Sequence, residues 1–258
     1  MLNKILKLER PLAVLDLETT GLNPEVDRIC QIAVTIHYPH KDPIDWSSFI
    51  NPEIPILNTE NHSISDEMVK DAPLFKIVAP ALAPNLLKSD LCGYNIKDFD
   101  LKFLRVEMQR AGVDWPWEGH IVDPLFIYRF KKGHNLLNAY KEYVDVNGFS
   151  GAHNAAVDVA ATIAVLIGQL NRHEDLPRTV KELSSFCFPR NENAVDEQGK
   201  FVWIEDEAAF NFGKWRGKKI SDPTIRGYLH WMANLGDFSQ EVKDIAQNAL
   251  DGIFPVKS

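Results

Sequence analysis

Asp16 and Glu18 stand two residues apart, just after the apolar run Leu12 to Leu15. Such a run reads as a short buried strand. Strand residues two apart face the same side, so the two carboxylates project together while Leu17 points away. Two acids on one face repel each other unless a positive charge lies between them, and a divalent cation with oxygen ligands can supply it. An acidic strand end beside a turn is the other reading. Thr19, Thr20 and Gly21 break the strand pattern and open a loop.

Three later residues could join such a pair. A helix is expected over Lys97 to Ala111, ending at Gly112. On it, Asp98 shares a face with Lys102, Arg105 and Gln109 and is spaced for an i,i+4 pair with Lys102, which marks a solvated face. Asp100 falls instead among Phe103, Leu104 and Ala111. Burying an acid there is costly without a cation or hydrogen-bond donors, although an arginine partner would also serve. Asp158 is the only ionisable residue between His153 and Arg172, in a helix of Ala, Val and Ile. The helix dipole favours an acid in the early turns but does not explain its isolation. His153 precedes Asp158 by five residues, which leaves the two about 140° apart on a helix. Both reach one site only if His153 lies on the preceding loop, as Gly148, Gly151 and Asn154 suggest. An imidazole there, with an intrinsic pKa of about 6.5, would suit a general base.

The elements that must position these residues follow from pattern. Ile29 to Tyr38 and Trp46 to Ile50 read as strands joined to the first by short turns, an antiparallel meander. Ser65-Asp66-Glu67 starts a helix, and Leu74 to Leu87 is helical in pattern despite Pro80 and Pro84. Strands at Asp90 to Tyr94 and Ile121-Val122 then alternate with helices at Lys97 to Ala111, Pro124 to Phe130, Leu136 to Val144 and Asn154 to Leu170. This order predicts an α/β domain, a mixed sheet carrying helices, over residues 1–184. A polar linker follows over 185–199. A small α+β domain completes the chain over 200–258, with a hairpin of Phe201 to Ile204 and Ala209 to Phe212 around Glu205-Asp206-Glu207. Helices at Pro223 to Leu235 and Ser239 to Leu250 close it. That domain contains Phe212-Gly213-Lys214-Trp215-Arg216-Gly217-Lys218-Lys219, cations and aromatics set among glycines. Lys214, Trp215, Arg216, Lys218 and Lys219 are candidate nucleic-acid contacts, since rings stack on bases and cations meet phosphates. A hairpin with a Phe212/Trp215 core and solvated lysines is the alternative.

The 258 residues are 45% hydrophobic and 25% charged, with a formal net charge of −8. Bulk attraction to a polyanion is therefore absent, and any nucleic-acid binding must come from local cations or bound metal. Cys30, Cys92 and Cys187 form no CxxC pair or Cys/His cluster, so neither a zinc site nor a disulfide framework is indicated. The N-terminus lacks the apolar core of a signal peptide, and no run of about 18 apolar residues is present. The expectation is a soluble, cytoplasmic protein without a membrane partner.

Asp16-x-Glu18-Thr19-Thr20-Gly21, then Asn95-x3-Phe99-Asp100, then His153-x4-Asp158 together resemble the DEDDh branch of the 3′–5′ exonuclease superfamily, which includes the epsilon subunit of DNA polymerase III. The resemblance covers about residues 10–172. His62 to Val69 and Val122-Asp123 add to it. His153, followed by Asn154 where the tyrosine branch has its tyrosine, sets the branch. Two departures are an Asn95–Asp100 spacing one residue longer than the epsilon-type pattern and Gln31 where many members have glutamate. The resemblance implies a ribonuclease H-like five-stranded fold and removal of nucleoside 5′-monophosphates from 3′ ends, with two Mg²⁺ or Mn²⁺ ions. It implies Asp16, Glu18, Asp100 and Asp158 as metal ligands and His153 as general base. Thr19, Thr20, Gly21, Leu22, Asn95 and His62 would then bind substrate. The implied partner is nucleic acid with a free 3′ end, DNA favoured over RNA. An exoribonuclease and a non-catalytic nucleic-acid-binding module remain the alternatives. The second domain resembles the small domain that follows the nuclease in exodeoxyribonuclease X-like proteins.

Overall fold

The apolar run at Leu12 becomes the central strand of the larger of two compact units, Met1–Phe188 and Pro189–Ser258. The structure, a computed structural model, describes residues 2–57, 59–129, 135–189, 193–196, 198–236 and 238–257. After one 3₁₀ turn at Leu2–Lys4, unit 1 opens with β1 (Leu12–Thr19), β2 (Ile29–His37) and β3 (Ile44–Phe49). The short helices α1 (Thr59–His62) and α2 (Asp66–Val69) precede α3 (Phe75–Leu87) and β4 (Asp90–Cys92). Then come α4 (Asp100–Arg110), β5 (Ile121–Val122), α5 (Pro124–Arg129), α6 (Leu136–Tyr143), α7 (Ala155–Arg172) and α8 (Val180–Cys187). Of the helix expected over Pro124 to Phe130, Phe130 lies outside the described residues. The sheet order is β3-β2-β1-β4-β5. The first three strands are antiparallel, while β4 runs parallel to β1 and β5 to β4. This is the mixed five-stranded, ribonuclease H-like arrangement.

β1 takes the centre because both its faces are apolar. Ala13, Leu15 and Leu17 pack with Phe75 and Ala79 of α3 and Leu101 and Phe103 of α4. Leu12 and Val14 pack on the other side with Val159, Leu166 and Leu170 of α7 and Leu183 of α8. Asp16 and Glu18 continue the α7 side by strand alternation. α7 is 18 residues long with mean hydropathy 1.2, long and apolar enough to cross a membrane by length and composition. Here it is a core helix laid along β1 and β2, and half of it is buried within the protein.

The start of α4 and the presence of α8 differ from expectation, while α3 forms as expected, each for a physical reason. α4 starts at Asp100, not Lys97, because Asn95 takes a left-handed conformation (φ 69°) and its carbonyl accepts the N–H groups of Asp98 and Phe99. Asp98 is therefore an exposed turn residue, and the helical face assigned to it does not form. α3 keeps Pro80 and Pro84 in its interior, both exposed, while Phe75, Ala79, Leu82, Ala83 and Leu86 bury the opposite side. Packing of that face outweighs the roughly 3 kcal/mol each interior proline costs. α8 is an element the pattern does not announce, yet its start carries a side-chain N-cap. Thr179 Oγ1 accepts the Glu182 N–H, and the Thr179 hydroxyl donates to the Glu182 carboxylate at 2.7 Å.

Glu107 is 1% exposed and receives Arg28 Nε at 2.6 Å and an Arg110 guanidinium N–H at 2.8 Å. Arg110 also donates to the carbonyls of Pro24, Glu25 and Asp27. One buried carboxylate thus fastens the loop after β1 onto α4. Glu107→Ala should lower unit 1 stability by about 2–3 kcal/mol in urea unfolding, short of a fully buried pair because both arginines reach solvent.

Unit 2 holds a hairpin of β6 (Phe201–Ile204) and β7 (Glu207–Phe210), then α9 (Arg226–Asn234) and α10 (Gln240–Leu250). The hairpin turns on Glu205-Asp206 with Glu205 at φ 58°, so Glu207 belongs to the strand. Phe201, Phe210, Ile225, Leu229, Met232 and Val242 form its own core. In the 185–199 stretch, α8 runs on to Cys187 and Asp196 accepts the N–H groups of Lys200 and Phe201.

Candidate active site

β1 ends in a bulge between Glu18 and Thr19, where the antiparallel register with β2 shifts. The bulge re-aims the strand end at the site. Glu18 and Asp158 crowd each other, and Asp16 faces Asp100, Asp158 and Glu18 together. Asp16 and Glu18 keep an accessible edge but sit deep among protein atoms. Burial, then repulsion from Asp100, Asp158 and Glu18, holds the Asp16 carboxyl well above the ordinary carboxylate range. Burial and Asp158 push Glu18 up to about 8.

Asp100 is the first residue of α4 and 3% exposed. It accepts the Leu17 N–H at 3.1 Å, which ties the start of α4 to β1. Burial raises it to about 8. Its own N–H and that of Leu17 draw it down, while Asp123 and Glu18 push it up. Asp123 is fully buried, and its Oδ1 accepts the N–H groups of Asn95 and Leu125. It thereby holds the left-handed turn that starts α4. Read from sequence only as a strand ending, Asp123 is a fifth acid beside the site.

Asn154 caps α7 by accepting the Val157 N–H, so His153 lies on the loop before the helix, as its spacing to Asp158 requires. His153 is exposed and left-handed (φ 66°), and its N–H donates to Asp158 Oδ2 at 2.9 Å. Burial raises Asp158, countered by that N–H and by the imidazole. Asp158 Oδ1 is buried and has no hydrogen-bond partner among the described residues. Glu18, His153 and Asp158 each bring a ligand atom to within 4.8 Å of the others, and such a group could hold one divalent cation. An unpartnered carboxylate oxygen within a set of mutually repelling acids is what a hard cation with oxygen ligands would satisfy.

The loop after β1 is built from its own polar groups. Thr19 donates to the Gly21 carbonyl at 2.6 Å, and the Thr20 hydroxyl donates to Asp27 and accepts from the Arg28 N–H. Any side chain at Gly21 would meet the Asp27 carboxylate at 2.4 Å. Leu22 stands 83% exposed, which removes the core role a lone leucine would otherwise suggest. His62 is buried near the Thr19 backbone and His153; burial lowers its pKa, Thr19 opposes that shift and His153 adds to it. Lys214, Trp215, Arg216, Lys218 and Lys219 belong to unit 2.

Gln31 has more structural consequence than its sequence gave reason to expect. It pairs across the strands with Glu18, is 6% exposed, and its Oε1 accepts the Ala155 N–H, the first of α7, at 3.0 Å. Gln31 therefore fixes the helix start that carries Asp158 and the loop that carries His153. Gln31→Leu, which orphans a buried N–H, should cost about 1–3 kcal/mol in denaturant unfolding. Gln31→Glu keeps the acceptor and should lose less, although it adds a like charge opposite Glu18.

A central strand and two helix starts that gather acids and a histidine define a ribonuclease H-like protein in which Glu18, His153 and Asp158 could hold a divalent cation. The family model for exonucleases of the RNase_T type matches residues 13–166, and the chain belongs to that exonuclease family, in its DEDDh branch. The DNA polymerase III PolC-type of Caldanaerobacter subterraneus subsp. tengcongensis is 29% identical over 191 residues, 71% of this chain and 13% of that protein. The 3′–5′ exonuclease DinG of Staphylococcus aureus is 30% identical over 176 residues, 66% of this chain and 19% of that protein. The matched regions thus span less than a fifth of either relative's length. Among solved structures, the E. coli exonuclease I–single-stranded DNA complex has a TM-score of 0.57 at 20% identity, covering 64% of this chain and 41% of that one. Exonuclease X in complex with 5′-overhanging duplex DNA gives 0.52 at 23% identity, covering 68% and 99%. These likenesses establish the fold.

Proposed function

We propose that the chain is a metal-dependent 3′–5′ exonuclease that releases nucleoside 5′-monophosphates from single-stranded or frayed DNA ends. The observation that carries this reading is the convergence of Asp16, Glu18, Asp100 and Asp158 into one mutually repelling cluster with His153 on its rim. Relatives named as a 3′–5′ exonuclease and as a DNA polymerase, and structural neighbours bound to DNA, support the polarity and the DNA substrate. The three free, buried cysteines suit a reducing, cytoplasmic setting.

Asp16, Glu18, Asp100 and Asp158 would hold two Mg²⁺ or Mn²⁺ ions, Asp16 being the residue that faces the other three acids. Such ions, when bound, polarise the scissile phosphate and stabilise charge on the attacking and departing oxygens. His153 takes the proton of the attacking water as the bond between phosphorus and the 3′ oxygen breaks. Its exposed imidazole can pass that proton to solvent, and the bond from its N–H to Asp158 keeps the ring beside the acids. The Thr19–Leu22 loop, fastened through Arg110 and Glu107, receives the terminal nucleotide. Leu22 wedges against the last base, with Asn95 and His62 lining the approach.

The test is incubation with 3′-ended single-stranded DNA, duplex DNA and RNA, in Mg²⁺, Mn²⁺ or chelator. Mononucleotides should appear from single-stranded DNA only with metal. His153→Ala should slow release by about 10²–10⁴-fold while leaving the unfolding midpoint near wild type, since the ring is exposed. Release in chelator, internal cleavage or faster release from RNA would each count against the proposal.

A further inference from the structure

The basic run of unit 2 divides in the folded chain. Lys219 pairs with Glu207 at 2.6 Å and Glu205 at 3.7 Å, bracing the hairpin. Lys218 reaches Asp222 at 3.2 Å. Among the described residues, neither Lys200 nor Lys214 has a carboxylate partner. Both lie over rings instead, Lys214 5.0 Å from the Trp215 ring centre and Lys200 5.3 Å from that of Phe212 and 6.0 Å from that of Phe238. Lys218 also sits over Trp215, at 5.5 Å.

These rings join into one partly open surface. Trp231, 42% exposed, stacks on Tyr228 at 5.3 Å with 23° between planes. Tyr228 also meets Trp215 at 6.3 Å and Phe212 at 6.4 Å, and Phe238 closes the circuit against Phe212 and Trp231. The core beneath is already filled by Phe201, Phe210, Leu229 and Met232, none more than 2% exposed. Phe212, Trp215, Tyr228 and Phe238 pack on that core from outside, while Trp231 stands beyond it and is the most open of the rings. An aromatic surface rimmed by lysines that lack carboxylate partners fits a polyanion with flat π faces. A duplex keeps those faces stacked inside, whereas a single strand offers them.

We propose that this surface is a second binding site, carried by unit 2, for single-stranded nucleic acid. Bases stack on Trp231 and Tyr228, and Lys200 and Lys214 meet the phosphates. The site moves the nucleic-acid contact away from Lys219 and onto α9, which the basic run alone did not indicate. It rests on the exonuclease reading only in that both take the same class of substrate.

The experiment is fluorescence anisotropy of the full chain in chelator with a 5′-fluorescein oligothymidylate of roughly 20 nucleotides. Wild type should bind the single strand more tightly than a duplex of equal length, with quenching of tryptophan fluorescence. Trp231→Ala should weaken binding about tenfold, and Trp231→Phe should recover most of it. The double change Lys200→Gln with Lys214→Gln should flatten the log–log salt dependence by about 1.4, the increment for two phosphate contacts on a single strand. Unchanged affinity and salt slope in these variants, or equal binding of duplex, would overturn the site. Mononucleotide release by the wild-type chain is measured separately. Loss of the surface with release intact refutes only this inference, and tight Trp231-dependent binding without release refutes only the nuclease reading.

Discussion

Asp16→Asn is expected to reduce metal-dependent mononucleotide release by about 10³-fold or more, the several kcal/mol that cation-held charge stabilisation contributes. The same substitution should raise the unfolding midpoint of the metal-free protein at pH 8. Asp16 is buried and crowded by Asp100, Asp158 and Glu18 together, so replacing it with a neutral amide of equal size removes that repulsion without opening a cavity. A residue that serves only the fold would lose stability on such a change. An acid kept for a cation loses activity and gains apo stability, and this opposite movement separates the two roles. Asp100→Asn should behave differently, because its carboxylate also accepts the Leu17 N–H. An amide in the right rotamer keeps that bond, and the gain in apo stability should be smaller. Differential scanning fluorimetry in chelator, beside the nuclease assay, reads both quantities. Activity within tenfold of wild type in Asp16→Asn would remove Asp16 from the centre of the site.

Much of this arrangement was legible in sequence because it rests on short-range geometry. Period two puts Asp16 and Glu18 on one side of β1, and the five-residue step from His153 to Asp158 demands a loop and then a helix. The apolar runs on both sides of those acids define the central strand and α7. What was not legible depends on partners far apart in the chain. Gln31 and Ala155 are 124 residues apart, and nothing around Gln31 signals that its amide holds a helix start. Glu107 reads as an ordinary helical acid until Arg28 closes on it across 79 residues. The start of α4 was misplaced because the Asn95 turn depends on Asp123, 28 residues on. Local pattern fixes which face an acid takes, while long-range hydrogen bonds decide where a helix begins.

Without metal, the protein should lose stability as pH rises from about 5.5 to 8.5. Glu18 and Asp100 have folded-state pKa values pushed to about 8, against ordinary values of 4.5 and 3.8. Between those limits the native state binds more protons than the unfolded chain, so the slope of unfolding free energy with pH is negative. The stabilising proton is fully present below the unfolded-state pKa and is lost through the folded one, the reverse of a salt-bridged carboxylate. The two sites repel each other and do not add, and Glu18 keeps an accessible edge. A loss on the order of 3–5 kcal/mol is expected, close to the effect of one buried carboxylate. For a unit of this size that corresponds to a fall of roughly 10 °C in the unfolding midpoint. Millimolar Mg²⁺ or Mn²⁺ should restore the midpoint, and should do so more at pH 8.5 than at pH 5.5, because the cation competes with the protons it replaces. Unfolding scans at four pH values with chelator and with Mn²⁺ measure this directly. A metal-free midpoint that climbs across the window, or a Mn²⁺ increment larger at low pH, would mean that the acids are ionised and paired within the protein and do not await a cation.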